Sequence, residues 1–361
     1  MTATSALAGQ VLIAGFGGRQ MPDSLRAAAR TGDLAGFVLF KRNLGAAEQS
    51  IELTRALVHS FPEGFPPVIA VDQEGGRVAR LGPPVLQLPA MQALGRHDDV
   101  GLTRRAAETL GAQLHALGFS IDFAPVLDVN SNPLNPVIGD RAFGSSASVV
   151  TRHGRAFAAG LQAQGVAACG KHFPGHGDTS VDSHLALPRV DHARARLDQV
   201  ELAPFRALAP TLACVMTAHV VFPALDPQLP ATLSVKVLDR LLREACGFKG
   251  VVFADDLEMK AISDHHGIVE ASCRCIAAGC DALLICKNPE LTLQAHEGLV
   301  RRAENDSSFR ARLEAAAARV HALRQRYRPR PSLEAFERTL AAARDLQAEL
   351  QIVLQRGEGV P

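Results

Sequence analysis

The sequence predicts an α/β fold, namely a single-domain (β/α)8 barrel with a C-terminal helical extension. Eight short apolar runs recur between residues 11 and 286. They are continuous rather than alternating, which fits strands buried on both faces of a parallel sheet. The segments between them, such as 99–117 and 149–164, have apolar residues at helical spacing. Eight strand-helix repeats with right-handed crossovers favour closure into a barrel.

The predicted strands follow one another at regular intervals along the chain. They are 11–16, 36–40, 68–71, 121–124, 166–169, 214–217, 251–254 and 282–286. An open, doubly wound sheet is the alternative, but a dinucleotide-binding sheet needs Gly-x-Gly-x-x-Gly after its first strand. The glycines at 15–18 lack that spacing and indicate only a tight turn. The sequence therefore favours the barrel.

The C-terminal part of the chain reads as helical. Residues 291–323 and 333–355 are rich in Ala, Glu and Arg, and a proline-containing segment at 329–332 interrupts them. This stretch is too short to form a second hydrophobic core. We therefore expect a barrel over residues 1–300 and a helical extension over 301–361, packed on the barrel or on a partner chain.

The amino-acid composition limits the classes of molecule that the protein is expected to bind. The 361 residues are 47% hydrophobic and carry a net charge of +1, so neither nucleic acid nor an anionic membrane is expected as a partner. The lack of Trp also disfavours base stacking. Seven cysteines without a Cys-x-x-Cys pair suggest reduced core residues. The N-terminus has no basic signal region, so the expectation is a cytoplasmic protein that binds a small molecule.

One loop is unusually rich in ionisable residues. Residues 169–188, at and beyond the end of the fifth predicted strand, contain three His, two Asp and one Lys. A connecting loop needs only turn formers and solvated groups, so this density favours a functional site. The alternative is a structural polar network that caps a helix and holds a turn. A second signal, Asp255 and Asp256 after the seventh strand, favours function.

Polar residues also follow other predicted strands, and in a parallel barrel these strand ends share one rim. They are Asp72, Arg77 and Arg80 after the third strand, Asp128 and Arg141 after the fourth, and His219 after the sixth. Each arginine alone could serve in a structural ion pair. Their predicted convergence indicates a binding site.

Three reaction classes could use this rim. A metal hydrolase would need ligands such as His172, His176 and His184, although no His-x-His pair is present. A Schiff-base enzyme would need a lysine with a lowered pKa, and Lys171 lies at a strand end. A glycoside hydrolase would need a carboxylate such as Asp255 facing an acid/base group in the loop.

Four motifs, in the same order along the chain, resemble those of family 3 glycoside hydrolases. They are Asp-Gln-Glu-Gly-Gly-Arg at 72–77, Gly-Asp-Arg-Ala-Phe at 139–143, Lys-His-Phe-Pro-Gly-His-Gly-Asp-Thr at 171–179 with Asp-Ser-His at 182–184, and Phe-Ala-Asp-Asp-Leu at 253–257. The resemblance covers residues 10–290 and is greatest to bacterial β-N-acetylglucosaminidases. It implies a TIM-type barrel that needs no cofactor and no metal. The implied substrate is a small carbohydrate with terminal β-linked N-acetylglucosamine, either a muropeptide from wall recycling or a chitooligosaccharide.

The resemblance also implies roles for individual residues. Asp255 resembles the nucleophile of a retaining mechanism, and His184 resembles the acid/base, paired with Asp182. A histidine titrates near neutral pH, so it can both give and take the proton, and the neighbouring carboxylate favours its charged form. The loop glycines are expected to let His184 swing towards the substrate. The residues that match sugar-binding positions are Asp72, Arg80, Arg141, Lys171 and His172.

Several alternatives stay open from the sequence. The same fold could accept another β-glycoside, or phosphate in place of water, because a neutral histidine does not repel phosphate as a carboxylate would. A protein of another class, a non-catalytic sugar-binding protein, could retain the same cleft. Neither the natural aglycone, nor the choice between monomer and homodimer, nor a role for His176 or His219 follows from the sequence.

Overall fold

The computed structural model describes residues 3–183 and 185–357, and it contains a closed parallel barrel of eight strands. The barrel strands are β1 (Leu12–Ala14), β2 (Gly36–Leu39), β3 (Val68–Val71), β4 (Ile121–Asp122), β5 (Ala167–Phe173), β6 (Cys214–Thr217), β9 (Val251–Ala254) and β10 (Ala282–Ile285). They pair in sequence order, and β10 returns to β1 with Leu12 opposite Leu283. Each predicted strand overlaps one of these, which confirms the predicted fold class.

The two remaining strands, β7 (Val221–Phe222) and β8 (Asp226–Pro230), form an antiparallel hairpin in the loop after β6. The sequence analysis did not predict this hairpin. Its pairing is irregular, since the register shifts between Val221 and Phe222. Strands this short leave little periodic signal in a sequence.

Helices surround the barrel. The α-helices are α1 (Ala3–Gly9), α2 (Asp23–Thr31), α3 (Ala47–His59), α4 (Met91–His97), α5 (Val100–Ala116), α6 (Ala147–Ala163), α7 (Arg194–Gln199), α8 (Ala203–Leu208), α9 (Lys260–Ser263), α10 (Ile268–Ala278), α11 (Pro289–Asn305), α12 (Ser307–Arg326) and α13 (Leu333–Gly357). A wider, π-type helix over Lys236–Ala245 leads to β9. Within the described ranges, no helix combines the length and apolarity needed to cross a bilayer.

Successive strand residues pack on opposite sides of the barrel wall. In β3, Ile69 and Val71 belong to the apolar layer beneath the helices, whereas Val68 and Ala70 belong to the layer inside the barrel. This is the alternation expected of a strand, and both layers need apolar residues. It explains why the predicted strands read as continuous apolar runs. All seven cysteines are buried and unpaired, as predicted.

The predicted helix at 291–323 is two helices, α11 and α12. Asp306 separates them, and its side chain accepts hydrogen bonds from the backbone N–H groups of Ser308 and Phe309. This N-terminal cap satisfies donors that have no partner within the helix. Because α11 extends over residues 289–305, it runs past residue 300. A domain boundary at residue 300 stays a prediction.

The helix α12 covers the N-terminal end of the barrel. Its Val320 and Leu323, together with Tyr327 just beyond it, pack in the same apolar cluster as the inward-facing strand residues. The buried guanidinium of Arg324 donates to the carbonyl oxygens of Pro66 and Phe65 at 2.6 and 3.3 Å. The helix α13 then lies against α5 and α4. The opposite, C-terminal end of the barrel is left for the cleft.

Candidate active site

A cleft of about 270 Å³ opens at the C-terminal ends of the strands. Its lining includes all the predicted site residues within the described ranges, namely Asp72, Arg80, Arg141, Lys171, His172, Asp182 and Asp255. The predicted acid/base, His184, lies outside the described residues. The structure therefore brings together side chains from the ends of β3, β5 and β9 and from the loops after β3, β4 and β5.

Asp255 directly follows β9, and the backbone N–H of Asp256 donates to its Oδ1 at 2.8 Å. Burial by itself would raise the pKa of this carboxyl. The His219 and His172 imidazoles, that backbone N–H group and the Lys171 ammonium outweigh burial and hold the pKa below its usual value. Asp255 is therefore an ionised carboxylate at neutral pH, as a nucleophile must be.

Asp256, the neighbouring residue, is in a different environment. Its Oδ1 accepts hydrogen bonds from the backbone N–H groups of Glu258 at 3.1 Å and Cys286 at 3.2 Å. Burial raises its pKa to about 6. His219 lies beneath this turn, with Nε2 3.2 Å from the Asp256 carbonyl oxygen and Nδ1 2.8 Å from Thr232 Oγ1. These contacts give Asp256 and His219 a role in shaping the turn that carries Asp255.

Glu74 is the centre of the charge network on the opposite side of the cleft, and the sequence analysis assigned it no role. Its side chain is 1% exposed and accepts two parallel hydrogen bonds from Arg141, from Nε and Nη2, each 2.8 Å long. Lys171 Nζ lies 2.5 Å from Glu74 Oε1 and 2.8 Å from Asp72 Oδ1. Arg80 Nη2 donates to Asp72 Oδ2 at 3.3 Å. The only sequence signal for Glu74 is its position two residues after Asp72 in one of the motifs.

This network determines the protonation of Lys171. Burial alone would lower the pKa of the ammonium group, but Asp72 and Glu74 raise it well above its usual value. A Schiff-base lysine needs a lowered pKa, so the neutral amine that the reaction requires is not available here. The Schiff-base interpretation of Lys171 is therefore wrong. Lys171 instead holds two carboxylates in place.

His172 is fixed by a buried carboxylate. Its Nδ1 lies 2.7 Å from Asp128 Oδ2, and Asp128 also accepts hydrogen bonds from the backbone N–H groups of His172 and His176. Burial opposes ionisation of Asp128, but the His172 charge and these hydrogen bonds lower its pKa. The sequence analysis placed Asp128 at the rim without giving it a role. It orients the His172 ring at the cleft.

Hydrogen bonds hold the loop after β5 in place at several points. The His176 ring lies between two hydroxyl groups, with Nδ1 2.8 Å from Thr179 Oγ1 and Nε2 3.0 Å from Ser183 Oγ. Burial lowers the His176 pKa to about 4, so the ring is neutral and bridges the two hydroxyls. The Ser183 carbonyl accepts a hydrogen bond from Ala261 N at 3.3 Å, which joins this loop to α9, the short helix that follows Asp255.

The glycines of this loop are sites of close packing. A Cβ at position 177 would lie 1.8 Å from the carbonyl oxygen of Val129, and one at position 175 would lie 2.8 Å from Cβ of Glu201. Gly175 also has φ +139°. In this conformation neighbouring backbone and side chains fill the space beside both glycines, and the expected swing of the loop stays a prediction. A side chain at either position would displace that chain.

Arg77 lies at the edge of the cleft, and its contacts are structural. Its Nε donates to Asp140 Oδ1 at 3.0 Å and its Nη2 to the carbonyl of Val137 at 2.5 Å. It thereby joins the loops after β3 and β4. Among residues 3–183 and 185–357, no group of three or more His, Cys, Asp or Glu side chains converges as a metal site.

A parallel barrel with an ionised carboxylate on one side of its C-terminal cleft, and carboxylates held by cations on the other, has the features of a barrel glycosidase. Comparison with known proteins gives the family. The family model described as the glycosyl hydrolase family 3 N terminal domain matches residues 8–323. The chain belongs to glycosyl hydrolase family 3 and is a glycoside hydrolase of the β-hexosaminidase type.

Two curated relatives illustrate the similarity. The chain is 40% identical over 274 residues to beta-hexosaminidase A of Pseudoalteromonas piscicida. This alignment covers 70% of this chain and 46% of that protein. The chain thus matches less than half the length of this relative. It is 42% identical over 264 residues to a beta-hexosaminidase of Alkalilimnicola ehrlichii, covering 71% of this chain and 75% of the relative.

Two solved structures have the same fold. A family 3 β-N-acetylglucosaminidase from Paenibacillus sp. aligns with a TM-score of 0.87 and 40% identity, over 96% of this chain and 69% of that chain. Native NagZ from Neisseria gonorrhoeae aligns with a TM-score of 0.80 and 33% identity, over 95% of this chain and 97% of that chain.

Proposed function

We propose that the protein is a retaining exo-β-N-acetylglucosaminidase that releases terminal β-linked N-acetylglucosamine from peptidoglycan fragments. The observation that carries the proposal is the ionised Asp255 carboxylate in a cleft whose other side holds Asp72 between two cations. The name of the Paenibacillus structure, a β-N-acetylglucosaminidase, supports N-acetylglucosamine as the sugar.

In the proposed reaction, the Asp255 carboxylate attacks the anomeric carbon while the bond to the leaving oxygen breaks. The resulting glycosyl-enzyme is hydrolysed by water, so the configuration of the product is retained. The lowered pKa of Asp255 keeps the nucleophile ionised throughout the neutral range.

His184 is the proposed acid/base. It protonates the leaving oxygen in the first step and takes a proton from water in the second. Asp182 lines the cleft and is proposed to favour the charged form of this histidine. The contacts of Ser183, the preceding residue, with His176 and with Ala261 of α9, the short helix after Asp255, support this assignment.

Asp72, Arg80 and His172 are proposed to hold the hydroxyl groups of the sugar. A carboxylate has about four acceptor sites, so Asp72 can bind hydroxyls while it accepts from Lys171 and Arg80. Arg141 is proposed to act through Glu74, because it donates two parallel hydrogen bonds to that buried carboxylate. A cytoplasmic location and a role in wall recycling belong to the same proposal, as does a monomeric or homodimeric state.

The first test is turnover of 4-nitrophenyl β-N-acetylglucosaminide in the presence of a chelator. Wild type should be active, and Asp255→Ala should lose at least about 10³-fold in kcat. Asp256→Asn is the matched control, because an asparagine Oδ1 can accept the same backbone hydrogen bonds. Added azide should rescue Asp255→Ala by replacing the nucleophile. His184→Ala should lose less on this good leaving group than on a natural disaccharide.

Other results would redirect the proposal. Loss of wild-type activity to the chelator would indicate a metal enzyme. Turnover that depends on phosphate and yields a sugar 1-phosphate would indicate a phosphorylase, and preference for another chromogenic glycoside would change the sugar. Tight N-acetylglucosamine binding without turnover of any glycoside would indicate a sugar-binding protein.

A further inference from the structure

The loop after β3, over residues 72–90, carries much of the proposed sugar site but little regular structure. It contains Asp72, Glu74 and Arg80, and only a short bridge between Gly75 and Val78 pairs within it. Such a loop needs other contacts to keep binding groups within the narrow tolerance that recognition requires. Side-chain amides of glutamine residues provide many of these contacts.

The C-terminal helix α13 supplies one of these amides. Gln347 Oε1 accepts a hydrogen bond from the backbone N–H of Gln87 at 2.8 Å, and Gln347 Nε2 donates to the Gln87 carbonyl at 3.2 Å. A single side chain thus pairs both polar groups of one loop residue, as a neighbouring strand would. Both residues are half-buried, in a groove between this loop and α13.

The contact continues through the loop towards the cleft. The side-chain amide of Gln87 donates to the carbonyl of Leu81 at 3.3 Å and to that of Val85 at 2.6 Å. Gln73 accepts hydrogen bonds from the backbone N–H groups of Arg80 at 2.8 Å and Leu81 at 3.0 Å. The backbone at Arg80 and Leu81 is therefore held from both sides, by Gln73 and by Gln87. Gln87 is in turn held by Gln347.

We propose that α13 positions the sugar-binding loop, and that Gln347 is a positioning residue for Arg80. The inference rests on the proposed function, in which Arg80 and Asp72 bind the sugar. Without the amide of Gln347, the backbone of Gln87 can move away from α13, and Leu81 and Arg80 can move with it. Arg80 Nη2 would then no longer stay 3.3 Å from Asp72 Oδ2.

Apolar side chains hold α13 on the barrel independently of Gln347. Phe336, Ala343, Leu346 and Leu350 of this helix are buried in the main hydrophobic cluster. Removal of one half-buried amide should therefore leave the helix docked. The effect on the loop can then be separated from loss of the fold.

The test compares Gln347→Ala and Gln347→Glu with Glu349→Ala in the full-length protein. Glu349 is the matched control, because it lies two residues further along α13 and pairs with Arg105 of α5 rather than with the loop. The measurements are kcat and KM for 4-nitrophenyl β-N-acetylglucosaminide, and the rise in melting temperature with free N-acetylglucosamine. Loss of one or two hydrogen bonds predicts a rise in KM of about fivefold to tenfold for Gln347→Ala, with kcat within about twofold.

The other variants sharpen the comparison. Gln347→Glu keeps the acceptor for the Gln87 N–H group, so its rise in KM should be smaller than that of the alanine variant. Glu349→Ala should leave KM unchanged. An unchanged KM in Gln347→Ala, or an equal rise in Glu349→Ala, overturns the positioning role while the proposed function stands. Failure of wild type to turn over or bind the sugar overturns the proposed function instead.

Discussion

Replacement of Glu74 by glutamine tests the most deeply buried charge in the cleft. The substitution keeps the shape of the side chain but removes the charge that pairs with Arg141 and Lys171. Lys171 still has Asp72 as an ionic partner, whereas Arg141 keeps only neutral acceptors, the amide oxygen of the new glutamine and the Val137 carbonyl at 3.2 Å. The Arg141 side chain is only 11% exposed, and in the variant no carboxylate pairs directly with its guanidinium.

The cost follows from burial. Removal of one partner from a buried ion pair costs about 3–5 kcal/mol, and the lower end applies here because Lys171 keeps a carboxylate. For a chain of 361 residues, roughly 3 kcal/mol lowers the melting temperature by about 4 °C. Burial alone would raise the pKa of Glu74, but Arg141 and Lys171 lower it well below its usual value of 4.5. The stability that the ionised Glu74 contributes is therefore complete at pH 7 and declines only as the pH falls below 4.5.

The assay is thermal unfolding at pH 7 of Glu74→Gln beside Asp140→Asn. The Arg77–Asp140 pair joins the same two loops, but its side chains are 49% and 46% exposed. A pair that exposed is worth about 0–1 kcal/mol, so the control should shift the melting temperature by no more than about 1 °C. Equal shifts in the two variants would refute the argument that burial makes the Glu74 network important.

Two further predictions concern the active-site loop and a carboxyl below the cleft. Ser183→Ala should slow cleavage of poor leaving groups more than that of the nitrophenyl glycoside, because Ser183 ties the chain beside the proposed acid/base to His176. The exposed Ser180→Ala is the control, and equal losses on both substrates would contradict this. Burial raises the pKa of Asp122 to about 8, so the stability that its protonated form provides is lost as the pH rises through that value. The asparagine of Asp122→Asn cannot ionise, so the melting temperature of this variant should fall less than that of wild type between pH 6 and 9. If the two melting temperatures change in parallel with pH, Asp122 does not titrate in that range.

Most of the site could be predicted because family motifs mark individual positions. Asp72, Lys171 and Asp255 are strand-end residues in such motifs, and all three line the cleft. Glu74 was missed for a physical reason. Its importance comes from Arg141 and Lys171, which are 67 and 97 positions away along the chain and meet it only when the barrel closes.

The sequence alone determined the eight barrel strands, since a barrel wall buried on both faces demands continuous apolar runs, and eight of them occur. It also determined which strand ends carry ionisable groups. Only the tertiary structure decided what those groups do. It paired Lys171 with two carboxylates, which removes the neutral amine, and it packed Gly175 and Gly177 against neighbouring chain. It also brought Gln347 of α13 against the sugar-binding loop. Charge pairing and close packing depend on distances between chain segments remote in sequence, and local patterns do not encode those distances.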